Sequence, residues 1–485
     1  MPGGGLTAAL AVVALLGASA AALHALLFKR EPRAALGWIA VSISLPLVGP
    51  LLYYVFGINR IRTRARRLTA DDSEPVKHRE GSGAPESLAQ VDRTFQLKNV
   101  KAAPDSDLPG LLRLSQLVTG MPLRAGQSVR MLRNGEEAFP AMIAAISAAE
   151  ESVYLTTYIF ESNTSGKQFV AALSEAQKRG VRVRVLIDGV GELYSYPRVR
   201  HLLARAGVEV KRFLPPRVFP PQFNINLRNH RKILLVDGRQ AFTGGMNIGD
   251  RNLADAQGVR KAADVHFELM GPIAGDIETA FRVDWEFVAG EELPASTVPT
   301  ERHGPVYARA VLDGPNEDLD KLESILIGAL GAARERVVIV TPYFLPSREL
   351  LAAMKSACLR GVDLTVVLPG ENNLPFVHWA SSNVLWELLH WDVRVLYQAP
   401  PFAHTKLFLV DDEYVQIGSA NIDPRSLRLN FELSVELYDR DFAAVVQGYV
   451  EQECLANSRQ VTLEELAARP LWQRVRDAAF WLASP

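Results

Sequence analysis

The chain has 485 residues, 48% of them hydrophobic and 22% charged, with a formal net charge of -1 at pH 7. That length accommodates two or three domains with cores of their own, and the near-zero charge excludes a globally basic nucleic-acid binder. Two cysteines, Cys358 and Cys454, form neither a disulfide framework nor a zinc-ligand cluster, which fits a reducing compartment and implies no metal site.

The amino terminus differs from everything after it. Leu6 to Phe28 is an apolar run interrupted only by Thr7, Ser19 and His24, and a second goes from Ala34 to Phe56; each has about the 20 residues needed to cross hydrocarbon. Both read as membrane helices, with Pro46 and Pro50 tolerable where neighbouring helices satisfy freed backbone groups. Trp38, Tyr53 and Tyr54 suit the headgroup level. Lys29, Arg30 and Arg33 lie in the connector, and Arg60, Arg62, Arg64, Arg66 and Arg67 follow the second run. The positive-inside rule then predicts a multi-pass cell-membrane protein with its carboxy-terminal side in the cytoplasm. Ala18-Ser19-Ala20 resembles a signal-peptide cleavage site, but no Lys or Arg precedes the run. From Leu68 to Asp107 the chain is polar and aperiodic, as a linker is.

The remainder is an internal repeat. Helical spacing over Glu137 to Ala149 precedes the apolar strand Ser152 to Phe160, then a helix from Gln168 to Arg179, a strand from Val181 to Ile187, a helix from Arg198 to Ala206 and a strand from Val208 to Phe213. The same order returns as Leu322 to Arg334, Arg336 to Phe344, Glu349 to Arg360, Val362 to Leu368, Ser382 to His390 and Val393 to Tyr397. Strands alternating with helices predict an α/β fold with a mostly parallel sheet in each half, flanked by helices. The expected organisation is a transmembrane hairpin (1–57), a basic segment and polar linker (58–108), and two domains (109–300 and 301–485).

Each half carries one copy of His-x-Lys-x-x-x-x-Asp: His230, Lys232 and Asp237, then His404, Lys406 and Asp411. Each copy is followed at the same distance by an Asn, Asn247 and Asn421, within Gly244-Gly245-Met246-Asn247 and Gly418-Ser419-Ala420-Asn421. In an extended segment the His and Lys leave the same face, and the apolar residues that follow anchor the strand. Cleaving a phosphodiester needs a nucleophile, an acid for the leaving oxygen and positive charge around the phosphoryl oxygens. Two imidazoles supply the first two, while the lysines and asparagines hold the phosphate. Spacing alone leaves open which His each Asp serves.

These motifs resemble the phospholipase D superfamily, whose paired HKD motifs are matched in full, and within it the bacterial cardiolipin synthases with two membrane helices. The resemblance runs over nearly the whole chain, through RAALGWIAVSISLPLVGPLLYYVFGINR, YIFE, RGVRVRVLIDGVG, NHRKILLVDGRQAFTGGMNIGD, TPYFLP and AHTKLFLVDDEYVQIGSANIDPRSLRLNFE. It implies two phospholipase D-like domains sharing one active site at a pseudo-twofold interface, and a covalent phosphatidyl-histidine intermediate. By the family's usual order His230 is the nucleophile and His404 the acid, then base. Asn430 and Glu432 match the family's Asn-x-Glu element, and Asp264 and His266 match its counterpart after the first motif; the resemblance assigns them to orienting the histidines. Lys261-Ala262-Ala263 stands where the synthases usually carry an aromatic and a basic residue, and Asp392 stands where Gly is usual. The implied reaction joins two phosphatidylglycerols into cardiolipin with release of glycerol, and this transesterification requires no cofactor. The implied partners are phosphatidylglycerol, other membrane phospholipids and the membrane, with no nucleic acid; a hydrolytic phospholipase D would use the same histidines and admit water.

Overall fold

A computed structural model describes residues 3–29, 32–57, 108–216, 227–253, 261–296, 301–314 and 320–483. They fall into two compact units, an amino-terminal one with the apolar runs and a body with both motifs. Arg30, the arginine cluster after the second run and the polar linker lie outside the described residues.

Gly3–Phe28 is one helix, and its Ala11–Phe28 stretch is long and apolar enough to span a bilayer. The second run is not the single helix expected. Pro32–Ser44 is helical, the chain breaks at Leu45 to Leu47, and a short helix, Val48–Leu52, leads into a π-helical turn at Tyr53–Gly57. Pro46 accounts for the break: it has no N–H to donate, and its ring opposes the carbonyl four residues back. Ala21 and Ala25 pack against Tyr53, Trp38 and Ile39, small residues allowing close approach of the helices. His24 Nδ1 and Tyr53 Oη are 2.7 Å apart.

In the body the strand–helix units lie where the periodicity predicts them. Ser152–Thr157, Arg182–Asp188 and Glu209–Phe213 are neighbouring parallel strands in the first half, as are Arg336–Val340, Asp363–Pro369 and Arg394–Gln398 in the second. The crossover helices Thr164–Lys178 and Arg348–Leu359 start at Asn163 and Ser347, whose side chains accept from the N–H of Gly166 and Leu350. Asp392, at the position where Gly was expected, has φ 59. The turn needs the left-handed conformation, which Asp tolerates better than most residues.

The sheet differs from expectation. Among the described residues fifteen strands form one continuous sheet. Its order is Ser458–Gln460, Arg394–Gln398, Asp363–Pro369, Arg336–Val340, Leu407–Val410, Tyr414–Gly418, Glu432–Tyr438, Val306–Asp313, Arg124–Arg133, Val265–Met270, Gln240–Gly244, Ile233–Val236, Ser152–Thr157, Arg182–Asp188 and Glu209–Phe213. Every pairing from Arg336–Val340 through the middle to Ser152–Thr157 is antiparallel. The sheet is therefore mixed, with parallel pairs only toward its two ends. Two of these pairings have a local cause: each motif strand turns straight back through a tight hairpin, Ile233–Val236 into Gln240–Gly244 and Leu407–Val410 into Tyr414–Gly418, and so short a connection permits only antiparallel neighbours.

Apart from the extra edge strand Ser458–Gln460 in the second half, the strand order reads the same outward from the centre into either half, and one face of the sheet is a common core. Tyr154, Phe267, Phe281 and Trp285 from the first half join Val338, Leu409, Val435 and Val446 from the second. Tyr154 stacks on Phe281 at 5.0 Å and Phe281 on Trp285 at 6.0 Å, with Trp285 fully buried. Trp285→Ala is expected to cost about 3–5 kcal/mol. Thermal unfolding of the detergent-solubilised chain measures it, and an unchanged midpoint would show that this core does not hold the halves.

Candidate functional site

Each motif histidine lies three residues before the start of a strand buried along its whole length, Ile233–Val236 or Leu407–Val410. Burial of those strands holds the preceding extended residues at the sheet margin, His and Lys on one face. In the first half further side chains pin that stretch. Asp188, at the end of its strand, pairs with Arg228 at 3.2 Å and accepts from the Asn229 N–H at 3.0 Å. Asp284 accepts from Asn229 Nδ2 at 2.8 Å and from Arg231 at 2.7 Å.

The histidines are held crosswise. His230 Nδ1 lies 3.1 Å from the carboxylate of Glu432 in the second half, while His404 Nδ1 lies 2.7 Å from Asp264 Oδ2 in the first. Backbone bonds repeat the exchange: His230 N–H donates to Phe431 O at 2.9 Å, and His404 N–H to Ala263 O at 2.7 Å. A carboxylate accepts, so each ring carries its proton on Nδ1 and leaves the Nε2 lone pair for chemistry. Burial pushes Glu432 up, but His230, Lys232 and the Ser419 hydroxyl bring it below its ordinary value, which keeps it an acceptor. Asn430 Nδ2 donates to the same carboxylate at 3.2 Å. At the position of Ser419, the first half has Gly245. A Cβ there would stand 2.4 Å from Asp264 Oδ2, so this carboxylate excludes any side chain.

Lys232 Nζ donates to the His230 carbonyl at 2.6 Å. Lys406 donates to the His404 carbonyl, its Nζ 3.0 and 3.2 Å from the two ring nitrogens. Burial and the nearby ammonium of Lys406 lower His404 to about 4, and burial lowers His230 despite the opposing pull of Glu432. Burial also brings Lys232 to about 7 and Lys406 to about 8. The charge of Lys406 acts on His230 and that of Lys232 on His404, so both motifs share one electrostatic site.

His230 and His404 line a cavity of about 1180 Å³ together with Asn247 and Asn421. Asn247 Oδ1 accepts from the Ile159 N–H at 3.0 Å, leaving its amide to donate; Asn421 Nδ2 lies 3.2 Å from Ser426 Oγ. Tyr158, Tyr343, Arg425 and Asp423 also line it, as do the apolar Phe376, Phe402 and Phe480. The Tyr158 ring sits 5.1 Å from His230, and burial raises Asp423 to about 6. One cavity thus combines two imidazoles, two amides and an apolar wall, with the Lys232 and Lys406 ammonium groups held beside the histidines behind it, a set suited to a phosphodiester with an apolar tail.

Residues 142–285 and 326–454 match the family described as cardiolipin synthase, PLD-like domain, and residues 17–57 match the phospholipase D-nuclease N-terminal family. The chain belongs to the phospholipase D-like cardiolipin synthase family. It is 31% identical over 467 residues to the major cardiolipin synthase ClsA of Bacillus subtilis, covering 94% of each chain. To cardiolipin synthase A of Pseudomonas putida strain KT2440 it is 33% identical over 448 residues, 92% of this chain and 90% of that one. A solved phosphatidylserine synthase from Haemophilus influenzae has a similar fold, with a TM-score of 0.59 and 16% identity over 77% of this chain and 99% of that one.

Within this family's paired motif, two of the expected positions lie apart from the chemistry. Asp237 and Asp411 sit beyond the far ends of their strands, seven residues from the histidines or roughly 20 Å at about 3.3 Å per residue. Asp237 accepts from the N–H groups of Glu150, Glu151 and Ser152 at 3.0, 2.8 and 2.8 Å, and Asp411 from those of Arg334, Glu335 and Arg336 at 3.1, 2.9 and 2.9 Å. They tie the loop before the neighbouring strand and do not touch the histidines. His266 is also displaced from its expected role. It pairs with Gly244 where Ser434 pairs with Gly418, so Glu432 corresponds to Asp264, two residues before His266. His266 is buried, lowered by that burial to about 4, and its Nδ1 has no hydrogen-bond partner among the described residues. Residues that motif reading passed over include Asp188, Asp284 and Ser419. A charged residue closing the apolar strand ending at Asp188 was the available signal.

Asp237→Ala is expected to lower stability by about 1–3 kcal/mol through three unmatched N–H groups. Turnover per folded molecule should stay near normal; a selective loss of turnover would return this carboxylate to the chemistry. An anionic phosphodiester favours the charged forms of Lys232 and Lys406, which the free site holds near 7 and 8, so binding takes up protons. Affinity for an unreactive phosphodiester therefore falls as pH rises from about 7. Calorimetry in buffers of different ionisation enthalpy reads the uptake, and its absence near pH 8 would contradict the lowered lysines.

Proposed function

We propose that the chain is a cardiolipin synthase, moving a phosphatidyl group from one phosphatidylglycerol to a hydroxyl of another with release of glycerol. The crossed clamp carries this reading: two imidazoles from different halves, each held at Nδ1 by a carboxylate of the other half and both lining one cavity. His230 Nε2 attacks phosphorus, the bond to the glycerol oxygen breaks, and His404 gives that oxygen its proton. In the second step a hydroxyl of the acceptor lipid passes its proton to neutral His404 as its oxygen attacks phosphorus and the phosphorus–nitrogen bond breaks. Lys232, Lys406, Asn247 and Asn421 hold the phosphoryl oxygens, while Asp264, Asn430 and Glu432 position the histidines. The phosphoryl anion raises His404 from its lowered free value, so the acid charges once substrate is bound.

The names of the relatives support the choice of lipid, and the aromatic wall of the cavity supports an acceptor that displaces water. We further infer that the apolar runs cross the membrane twice and that the body lies on the cytoplasmic side, from the basic residues flanking the second run. Purified chain given phosphatidylglycerol alone should yield cardiolipin and glycerol; phosphatidic acid as the main product would identify a hydrolase instead. His230→Ala and His404→Ala should each lower turnover by at least about 10²-fold with the fold intact. Brief lipid exposure should label His230, and a label on His404 reverses the two roles.

A further inference from the structure

The last helix, Leu471–Ala483, has its polarity reversed for the surface of a water-facing body. At about 100° per residue, Leu471, Trp472, Val475, Ala478, Ala479 and Leu482 share roughly one third of its circumference. Leu471 is 73% exposed, Trp472 62%, Val475 60% and Leu482 72%. The polar group points the other way: Asp477 is 1% exposed and accepts from Arg469 at 2.7 Å and Arg476 at 2.9 Å. Trp481 packs inward on the core of the second half. A helix on a water-facing surface puts its apolar stripe inward.

Two further observations say what covers the stripe. Arg474 and Arg476 border it on opposite sides, the latter over the rings of Trp379 at 4.3 Å and Trp472 at 5.4 Å. An apolar face bordered by arginines matches a bilayer interface with anionic headgroups, where the arginine stems lie along apolar surface. The helix also belongs to the rim of the catalytic cavity. Its Phe480 lines the cavity and meets Trp379 of the helix Pro375–Ser382 at 5.0 Å, and Phe376 of that helix is half-exposed at the same cavity. On the first half Tyr194 lines the cavity, with Leu193 and Tyr196 exposed beside it.

We propose that the helix Leu471–Ala483, with the rim at Phe376 and at Leu193 to Tyr196, is a docking surface that seats the mouth of the cavity in an anionic bilayer. This deepens the lipid-transferase reading and rests on it for the substrate. A membrane-spanning helix keeps the body near lipid without choosing which face meets it. Seating the mouth in the interface lets acyl chains remain in apolar surroundings while the headgroup reaches the histidines, and every methylene kept out of water favours that path.

The test uses the full chain with Val475→Cys in a Cys358→Ser background, spin-labelled and reconstituted in vesicles of phosphatidylglycerol and phosphatidylcholine. Dissolved oxygen should relax the label strongly and a water-soluble nickel chelate weakly, whereas a label at exposed Glu175 should respond to nickel. Dominant nickel relaxation at 475 overturns the proposal. So does low access to both reagents, which means a covering chain segment, and so does spin–spin broadening, which means a second copy. In parallel, Trp472→Glu with Val475→Glu should lower turnover of vesicle phosphatidylglycerol by about tenfold or more. Turnover of monomeric short-chain phosphatidylglycerol should be unchanged; equal loss on both substrates also overturns the docking surface. If wild type makes phosphatidic acid instead of cardiolipin from the short-chain lipid, the synthase reading fails while the label still decides docking.

Discussion

Everything about the body depends on the exchange of carboxylates across its pseudo-twofold centre. Glu432 holds the histidine of the first half and Asp264 the histidine of the second. Neither half alone contains a complete acid–base pair, so the halves must keep register with each other. The continuous sheet and the shared core around Phe281 and Trp285 supply that rigidity. The antiparallel middle of the sheet is part of the same requirement: hairpin returns bring Gly244 beside His266 and Gly418 beside Ser434, placing both carboxylates two residues away.

Burial does the rest of the electrostatic work. It keeps the histidines neutral at rest and lowers the lysines, so the free cavity avoids holding four positive charges together. An arriving phosphodiester supplies negative charge and shifts both lysines and histidines further toward their charged forms. Such a site discriminates by charge before it discriminates by shape. The apolar wall at Phe376, Phe402 and Phe480 adds the second criterion, a ligand whose phosphate carries a hydrocarbon tail.

Phe480 of that wall belongs to the last helix, whose outer face carries the exposed stripe, and this links the chemistry to the problem of supply. A transferase working on two lipids must receive both from a bilayer and exclude water from the phosphohistidine between steps. A cavity mouth set in the interface meets both needs at once.

Much was legible in the chain itself. The doubled His-x-Lys pattern, the trailing asparagines, the order of strands and helices and the apolar amino terminus all follow from short-range spacing, because periodicity records which side chains are buried and how the local backbone runs. Spacing did not reveal partnerships between distant segments. Glu432 lies 202 residues from the histidine it holds, and Asp264 lies 140 from its own. The shared HKD pattern likewise grouped Asp237 and Asp411 with the catalytic residues, although they sit at the opposite ends of their strands and tie loops. The outward stripe of the last helix was also a tertiary decision, whereas Pro46 breaks the second apolar run and tight hairpins turn the motif strands back by local rules. Local sequence determined which chemistry was present in each half; only the folding of one half against the other determined which carboxylate each imidazole received.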